Sequence, residues 1–331
     1  MRKSTTRVHR AVNWNVEVDS FTFDFWEKNL EQMWVDTEFI PSKDRNVWER
    51  LDPEMRAAYK SVLGGLTLLD TQQGNVGMPK ITEHVDHLQR KAVLSFMGMM
   101  ENIHAKSYST IFTTLLSDVE IDEVFEWVEE NPNLQFKAEQ ITHYYDNITD
   151  KKSLYLAMVA SVYLESFLFY SGFFLPLWLS GQGKMVASGE IINKIIQDES
   201  IHGVYIGLLA QEVYNELTEQ EKVEVDYESN ILLEELMDNE FSYTEDIYVP
   251  LGLDHEVKNF LHYNANKALM NLGKTPKYEE KKINSIVQNG LNTESGTHDF
   301  FSVKGKSYKK AKHRSLMQDD FVFPDLDEPL I

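Results

Sequence analysis

Two Glu-x-x-His motifs, each on an apolar helical face, constrain the fold of this chain more than any other feature. Glu101 and His104 lie in ENIHAKSY, and Glu199 and His202 lie in DESIH. Apolar residues flank both motifs at steps of three or four, the spacing of the buried face of an amphipathic helix. A buried carboxylate needs a partner of opposite charge. Two such motifs facing one core are typical of a four-helix bundle with a dinuclear metal–carboxylate site.

The repetition of the motif carries this prediction. A chain with 10 histidines and many acids should contain about one Glu-x-x-His by chance, so a single copy would mean little. Here both copies lie on apolar stripes, and the first is predicted on a helix from about 83 to 116. The two stripes are Met97, Glu101, His104, Tyr108, Ile111 and Leu115, and Ile192, Ile195, Glu199, His202, Ile206 and Leu209.

Two further acids lie on predicted buried faces and complete the set of ligands. Asp70 occurs in LTLLDTQQ, on a helix predicted to begin at Pro53 after the N-cap Asp52. Glu165 is the single charged residue in the apolar run 154–179. That run is long enough to span a bilayer, but a mid-membrane acid is costly and no second run or basic flank accompanies it. We therefore predict a central helix of a large bundle.

The composition excludes some classes of binding partner and restricts the atoms that could bind a metal. A net charge of −21 argues against nucleic acid or an anionic membrane as a direct partner. The absence of cysteine excludes disulfides and thiolate ligands, so a buried metal must use oxygen and nitrogen donors, which suit iron, manganese or zinc. The N-terminus is basic without an apolar segment, and we expect a cytoplasmic protein.

The ligand set predicted from these patterns has four carboxylates and two imidazoles: Asp70, Glu101, His104, Glu165, Glu199 and His202. We expect the first three to hold one ion and the last three to hold the other. The glutamates of the paired motifs are best placed to bridge the ions. Tyr108 lies one turn beyond His104 on the same face. Beside a redox-capable site it is a candidate for oxidation, with an ordinary core tyrosine as the alternative.

Six ordered motifs carry a family resemblance: LTLLDTQQ, MMENIHAKSYS, YLESFLFYSGFF, IIQDESIHG, YNANKALMNLG and HDFFSVKG. Together they closely resemble the small, radical-generating subunit of class Ib ribonucleotide reductase. The resemblance implies an all-α, ferritin-like helical bundle that forms a homodimer and holds a dinuclear manganese or iron cofactor. It also implies a tyrosyl radical, matching Tyr108, that passes to a large catalytic subunit for reduction of ribonucleotides. The manganese route implies a flavodoxin-like activase.

The resemblance also assigns residues outside the ligand set. Trp34 matches the tryptophan of the radical-transfer route, Asp198 the aspartate that links it to His104, and Tyr308 in GKSY the tyrosine of the C-terminal tail. The apolar shell around the radical is matched by Phe169, Phe173 and Ile195. QDDFVF matches the part of the tail that docks on the large subunit. Two departures occur in the tail: PDLDEPLI follows QDDFVF, and GKSY replaces the usual GNGY.

These inferences divide the chain into three parts. We predict an N-terminal extension (1–20), a ferritin-like radical-generating domain (21–291) and a flexible docking tail (292–331). A diiron oxygenase or desaturase also carries paired Glu-x-x-His motifs and is the nearest alternative, and a ferritin-like storage protein is another. Asp70 in place of a glutamate, Tyr108 after the first histidine, and the long tail favour the reductase subunit.

Overall fold

The computed structural model describes residues 9–279 and 281–291, which form helices and no strand. The α-helices are α1 (Thr22–Gln32), α2 (Arg45–Trp48), α3 (Pro53–Gln72), α4 (Met78–His84), α5 (Leu88–Leu115), α6 (Asp118–Glu130), α7 (Pro132–Asp146), α8 (Lys151–Tyr163), α9 (Phe169–Ser180), α10 (Val186–Asn215), α11 (Glu219–Tyr248), α12 (Asp254–Asn271) and α13 (Ser285–Leu291). The all-α class predicted from the sequence is confirmed. The described residues from Val18 onward belong to one compact unit.

The most apolar part of the chain forms the centre of the bundle. The helical stretch Lys151–Ser180 is long and apolar enough to cross a membrane, but every residue of its most apolar 18-residue window is buried inside the protein. Helix α10 packs along α8 and α9, and α3 packs against α9. A helix enclosed by other helices on every side has no face left for lipid. The prediction of a core helix is confirmed.

The predicted apolar stripes are buried, with one difference in the length of the first helix. Every predicted position of both stripes is buried except Leu115, which is half-buried. The helix that carries ENIHAKSY begins at Leu88, not near Glu83. Val85 and His87 have extended backbones, with ψ angles of 139° and 133°. This break turns the chain so that α4 packs against α5 while Val85 stays buried.

Two π-helical segments interrupt the regular helices near the predicted ligands. Gln73–Gly77 follows α3, three residues after Asp70, and Leu164–Leu168 separates α8 from α9 and contains Glu165. Such single-turn π segments shift the register of a helix and are frequent at functional sites. Each of these two acids is therefore carried on or beside a locally rewound turn.

A long-range cap holds the start of α10, the helix that carries the second Glu-x-x-His motif. Asp44 accepts hydrogen bonds from the backbone N–H of Ser188 (2.7 Å) and Ala187 (3.2 Å) and from the Ser188 hydroxyl (2.8 Å). A carboxylate at this position satisfies N–H groups that have no partner within the helix and is favoured by the helix dipole. The cap ties α10 to the segment that precedes α2.

Candidate metal centre

The six predicted ligands meet in the centre of the bundle, and each is fully buried. Helix α3 supplies Asp70, α5 supplies Glu101 and His104, the second π segment supplies Glu165, and α10 supplies Glu199 and His202. The ligand atoms form two groups, and within each group they all lie within 4.8 Å of one another. The first group contains Asp70, Glu101, His104 and Glu199. The second contains Glu101, Glu165, Glu199 and His202. Glu101 and Glu199 belong to both groups, which is the position of a bridging ligand.

The donor atoms of this cluster lie close together but are not in hydrogen-bonding geometry with one another. Nδ1 of His202 lies 2.6 Å from Oε1 of Glu101, and Nδ1 of His104 lies 2.9 Å from Oε1 of Glu199. Among the described residues, none of these four atoms has a hydrogen-bond partner, and both oxygens of Asp70 also lack one. Buried polar atoms are normally paired, so such an arrangement is expected where the atoms share a bound ion. Oxygen and imidazole donors in this number fit a pair of divalent transition-metal ions.

The electrostatics of the cluster also favour bound cations. Burial raises the pKa of Asp70 well above its usual range; contact with His104 offsets this in part, and the charge of Glu101 raises it further. Burial likewise raises the pKa of Glu165, and the charges of Glu101 and Glu199 add to the effect. Crowded carboxylates resist ionisation unless positive charge is close by. Two divalent ions would supply that charge.

His104 connects the cluster to Trp34 through Asp198. Nε2 of His104 lies 3.0 Å from Oδ2 of Asp198, and the same oxygen accepts a hydrogen bond of 2.7 Å from Trp34 Nε1. The Trp34 ring stacks on the His104 ring, with centroids 5.8 Å apart and planes at 15°. Because a carboxylate oxygen that accepts from Trp34 can also accept from an imidazole N–H, Nε2 is assigned as the donor to Asp198, and Nδ1 is the ring nitrogen that faces the cluster. Trp34 lies beyond the end of α1 and is buried.

Tyr108 lies on α5 in a fully buried position. Its hydroxyl has no hydrogen-bond partner in the described part of the chain. Burial raises the pKa of Tyr108 well above that of an exposed phenol, and the charges of Asp70 and Glu199 raise it further. The phenol is therefore neutral at physiological pH.

The three residues assigned to the apolar shell are also fully buried: Phe169, Phe173 and Ile195. The rings of Phe169 and Phe173 lie 5.9 Å apart. Tyr308 and the predicted docking tail lie outside the described residues.

Gln73, the last residue of LTLLDTQQ, had no role in the site predicted from the sequence. Gln73 Nε2 donates a hydrogen bond of 2.5 Å to Oε1 of Glu165. The signal was present in the sequence, because an amide three residues after a metal-ligand candidate, on the same apolar stripe, needs a polar partner. Its partner lies on a distant part of the chain and could not be named in advance.

The fold and the cluster together define a ferritin-like protein with a dinuclear carboxylate site. The family model "Ribonucleotide reductase, small chain" matches residues 11–285. The chain belongs to this family, among the class Ib small subunits.

Individual relatives agree with this assignment over nearly their whole length. The ribonucleoside-diphosphate reductase subunit beta of Bacillus subtilis is 55% identical, over 98% of this chain and 100% of the relative. The protein of the same name from Bacillus phage SPbeta is 53% identical, over 97% and 98%. The crystal structure of dimanganese(II)-NrdF from Streptococcus sanguinis matches with a TM-score of 0.83 at 45% identity, covering 86% of this chain and 100% of that one. These relatives support the reductase prediction over the oxygenase alternative. Membership among the small subunits of ribonucleotide reductase implies a large subunit as the partner of this chain.

Proposed function

We propose that this chain generates a radical on Tyr108, stores it, and passes it to the large subunit of a ribonucleoside-diphosphate reductase. The observation that carries the proposal is the convergence of unpaired buried carboxylates and imidazoles on the helix face that also carries Tyr108. Two manganese or iron ions bound there would supply the oxidising power once dioxygen or one of its reduced forms has oxidised them. Manganese is supported by the Streptococcus sanguinis relative, whose structure is that of a dimanganese(II) protein.

We assign Asp70, Glu101 and His104 to one ion. Glu165, Glu199 and His202 are assigned to the other, with Glu101 and Glu199 as bridges because each belongs to both groups of ligand atoms. The raised pKa of Tyr108 means that its oxidation must release the proton together with the electron. We assign Phe169, Phe173 and Ile195, all fully buried, to the apolar surroundings that would keep water and reductants away from the resulting phenoxyl.

Transfer out of the cluster follows the hydrogen-bonded path from His104 through Asp198 to Trp34. The shared acceptor oxygen on Asp198 and the stacked rings support this assignment. A proton held between Asp198 and its two donors can shift as an electron moves along the path. Tyr308 is assigned the next step, near the large subunit.

The homodimer is proposed to form through the outer face of α1 and α5. Leu30 on α1 and Leu88 and Met99 on α5 are exposed, and α1 packs against α5. Leu88 and Met99 lie three turns apart and therefore share one face of their helix. Exposed apolar residues grouped on adjacent helices are typical of a protein–protein interface.

We further propose a cytoplasmic location and activation by a flavodoxin-like activase.

The radical assignment is tested by Tyr108→Phe, which removes only a hydroxyl. We expect both ions to bind and the fold to persist, while the radical signal in electron paramagnetic resonance and the reductase activity disappear. The matched control is Tyr59→Phe, another buried tyrosine, on α3, which should keep the radical. A full signal in Tyr108→Phe would place the radical on another residue.

Docking on the large subunit is proposed for residues 292–331, the tail predicted from the sequence. Phe321 and Phe323 alternate with other residues in QDDFVF and can bury their rings on a partner. Deleting residues 315–331 should keep the Tyr108 radical and abolish activity with the large subunit. Tyr308→Phe should keep binding to the large subunit, measured by sedimentation, but stop turnover. Turnover by the truncated protein would contradict the docking role.

A further inference from the structure

A chain of buried hydrogen bonds reaches the metal cluster from α7. The Tyr145 hydroxyl donates a hydrogen bond of 2.6 Å to Oε1 of Gln73. Nε2 of Gln73 donates to Oε1 of Glu165 (2.5 Å) and to the Ser161 hydroxyl (2.7 Å). Tyr145, Gln73, Ser161 and Glu165 are all buried, with at most 1% of each residue exposed. The chain therefore links a phenol on α7 to one carboxylate of the cluster.

Glu165 and Tyr145 together determine which way the Gln73 amide points. The Glu165 oxygen accepts from the NH₂ group of Gln73, which leaves the amide oxygen to face Tyr145. Burial raises the pKa of Tyr145 well above its usual range, so the hydroxyl keeps the proton that it donates to this oxygen. A flipped amide would place its oxygen against the Glu165 carboxylate, an arrangement of two acceptors.

Glycine at position 77 of the first π segment leaves room for this chain, and glycine at position 74 lets the same segment approach α5 closely. A Cβ on Gly77 would clash with Oε1 of Gln73 and lie 2.7 Å from the Tyr145 ring. A Cβ on Gly74 would lie 2.9 Å from Cβ of Glu101. Real Cβ atoms do not approach other atoms this closely. The π segment thus seats the Gln73 amide between Tyr145 and the cluster.

We propose that Gln73 is a positioning residue for Glu165 and that Tyr145 acts through Gln73. The amide engages Oε1 of Glu165 and leaves Oε2, which has no hydrogen-bond partner among the described residues and lies 3.5 Å from Nδ1 of His202. Glu165 is thereby directed to bind through one oxygen. This inference rests on the proposed metal site, and it predicts that Gln73 controls one of the two ions: the ion held by Glu165 and His202.

The test is manganese(II) binding to the full-length protein, measured by competition with a fluorescent chelator. Gln73→Met removes the amide at nearly constant volume and should weaken one of the two binding steps about 10–100-fold, as loss of an outer hydrogen bond to a ligand does. Tyr145→Phe should weaken the same step by a smaller factor. The control, Tyr248→Phe, removes a buried hydroxyl that donates to the backbone carbonyl of Ser171, and should change neither step.

A double variant distinguishes positioning from simple packing. If Tyr145 acts through Gln73, adding Tyr145→Phe to Gln73→Met should change the affinity no further. Additive losses would overturn that link. If the Tyr145 hydroxyl had only a structural role, the thermal midpoints of the metal-free Tyr145→Phe and Tyr248→Phe proteins would fall alike. The affinities of both manganese(II) binding steps would then be unchanged, and this result would overturn the inference. If Gln73→Met does not fold, Tyr145→Phe alone decides. A wild-type protein that binds no manganese(II) would refute the proposed site instead.

Discussion

Two groups of charged side chains are buried in this bundle, and they are satisfied in different ways. Between α7 and α11, Lys137 and Glu240 form an ion pair, with 1% and 0% of their side chains exposed. The ammonium also lies 3.8 Å from the centre of the Tyr243 ring. The metal cluster has four carboxylates, and none of them forms an ion pair with lysine or arginine among the described residues.

The difference shows which buried charges belong to the fold and which belong to the function. Burial lowers the pKa of Lys137, and the charge of Glu240 offsets part of that shift. Each charge of this pair compensates the other, so the pair is neutral within the protein. In the cluster, burial and the charges of neighbouring acids raise the pKa of Asp70 and Glu165, and bound cations would supply the missing positive charge. The cluster therefore costs stability in the metal-free protein, as functional sites commonly do.

The largest effect is expected from removing a bridging acid. Glu101→Ala or Glu199→Ala should abolish binding of both ions, because each residue belongs to both groups of ligand atoms. The variants should still fold without metal, because the helix packing of the bundle does not depend on these acids. Metal analysis and thermal melting check both points. Two ions per chain in both variants would contradict the site assignment. The control variant Glu240→Ala, where it folds, should retain both ions.

The next effect concerns the ion pair. Glu240→Ala leaves Lys137 buried without a partner and should lower the free energy of unfolding by about 3–5 kcal/mol, measured by urea denaturation. The control is the apolar double variant Lys137→Met with Glu240→Leu. It should be as stable as the wild type or more stable by about 1–4 kcal/mol. A double variant as unstable as Glu240→Ala would show that packing, not charge, explains the loss.

The smallest effect is the stabilisation brought by each bound ion. Free manganese(II) at 100 times the dissociation constant of one site should raise the stability of the wild type by about 2.7 kcal/mol for that site. The apolar double variant at Lys137 and Glu240 should gain the same amount, because its cluster is intact. Glu101→Ala should gain nothing. Calorimetry measures these gains. An equal gain in Glu101→Ala would mean that manganese(II) stabilises the protein from some other site.

Helical periodicity explains why so much of the site was predictable. Asp70, Glu101 and Glu199 were found because an acid on an apolar stripe stands out within a few turns of sequence. The break at Val85–His87 was missed, because nothing local separates it from the helix that follows. Gln73 lies in the same motif as Asp70, but its role could not be interpreted from the sequence. Its partner Tyr145 lies on α7, and the two meet only when α7 packs beside the first π segment.

The sequence by itself determined the all-α class, the central position of the apolar 154–179 run and, through the resemblance, the family. These properties depend on spacing along one helix, which repeats every 3.6 residues and can be read locally. Only the tertiary structure decided that Lys137 pairs with Glu240 and that one oxygen of Glu165 is held by Gln73. Such contacts join residues far apart in sequence, and a shift of about one ångström between helices makes or breaks them.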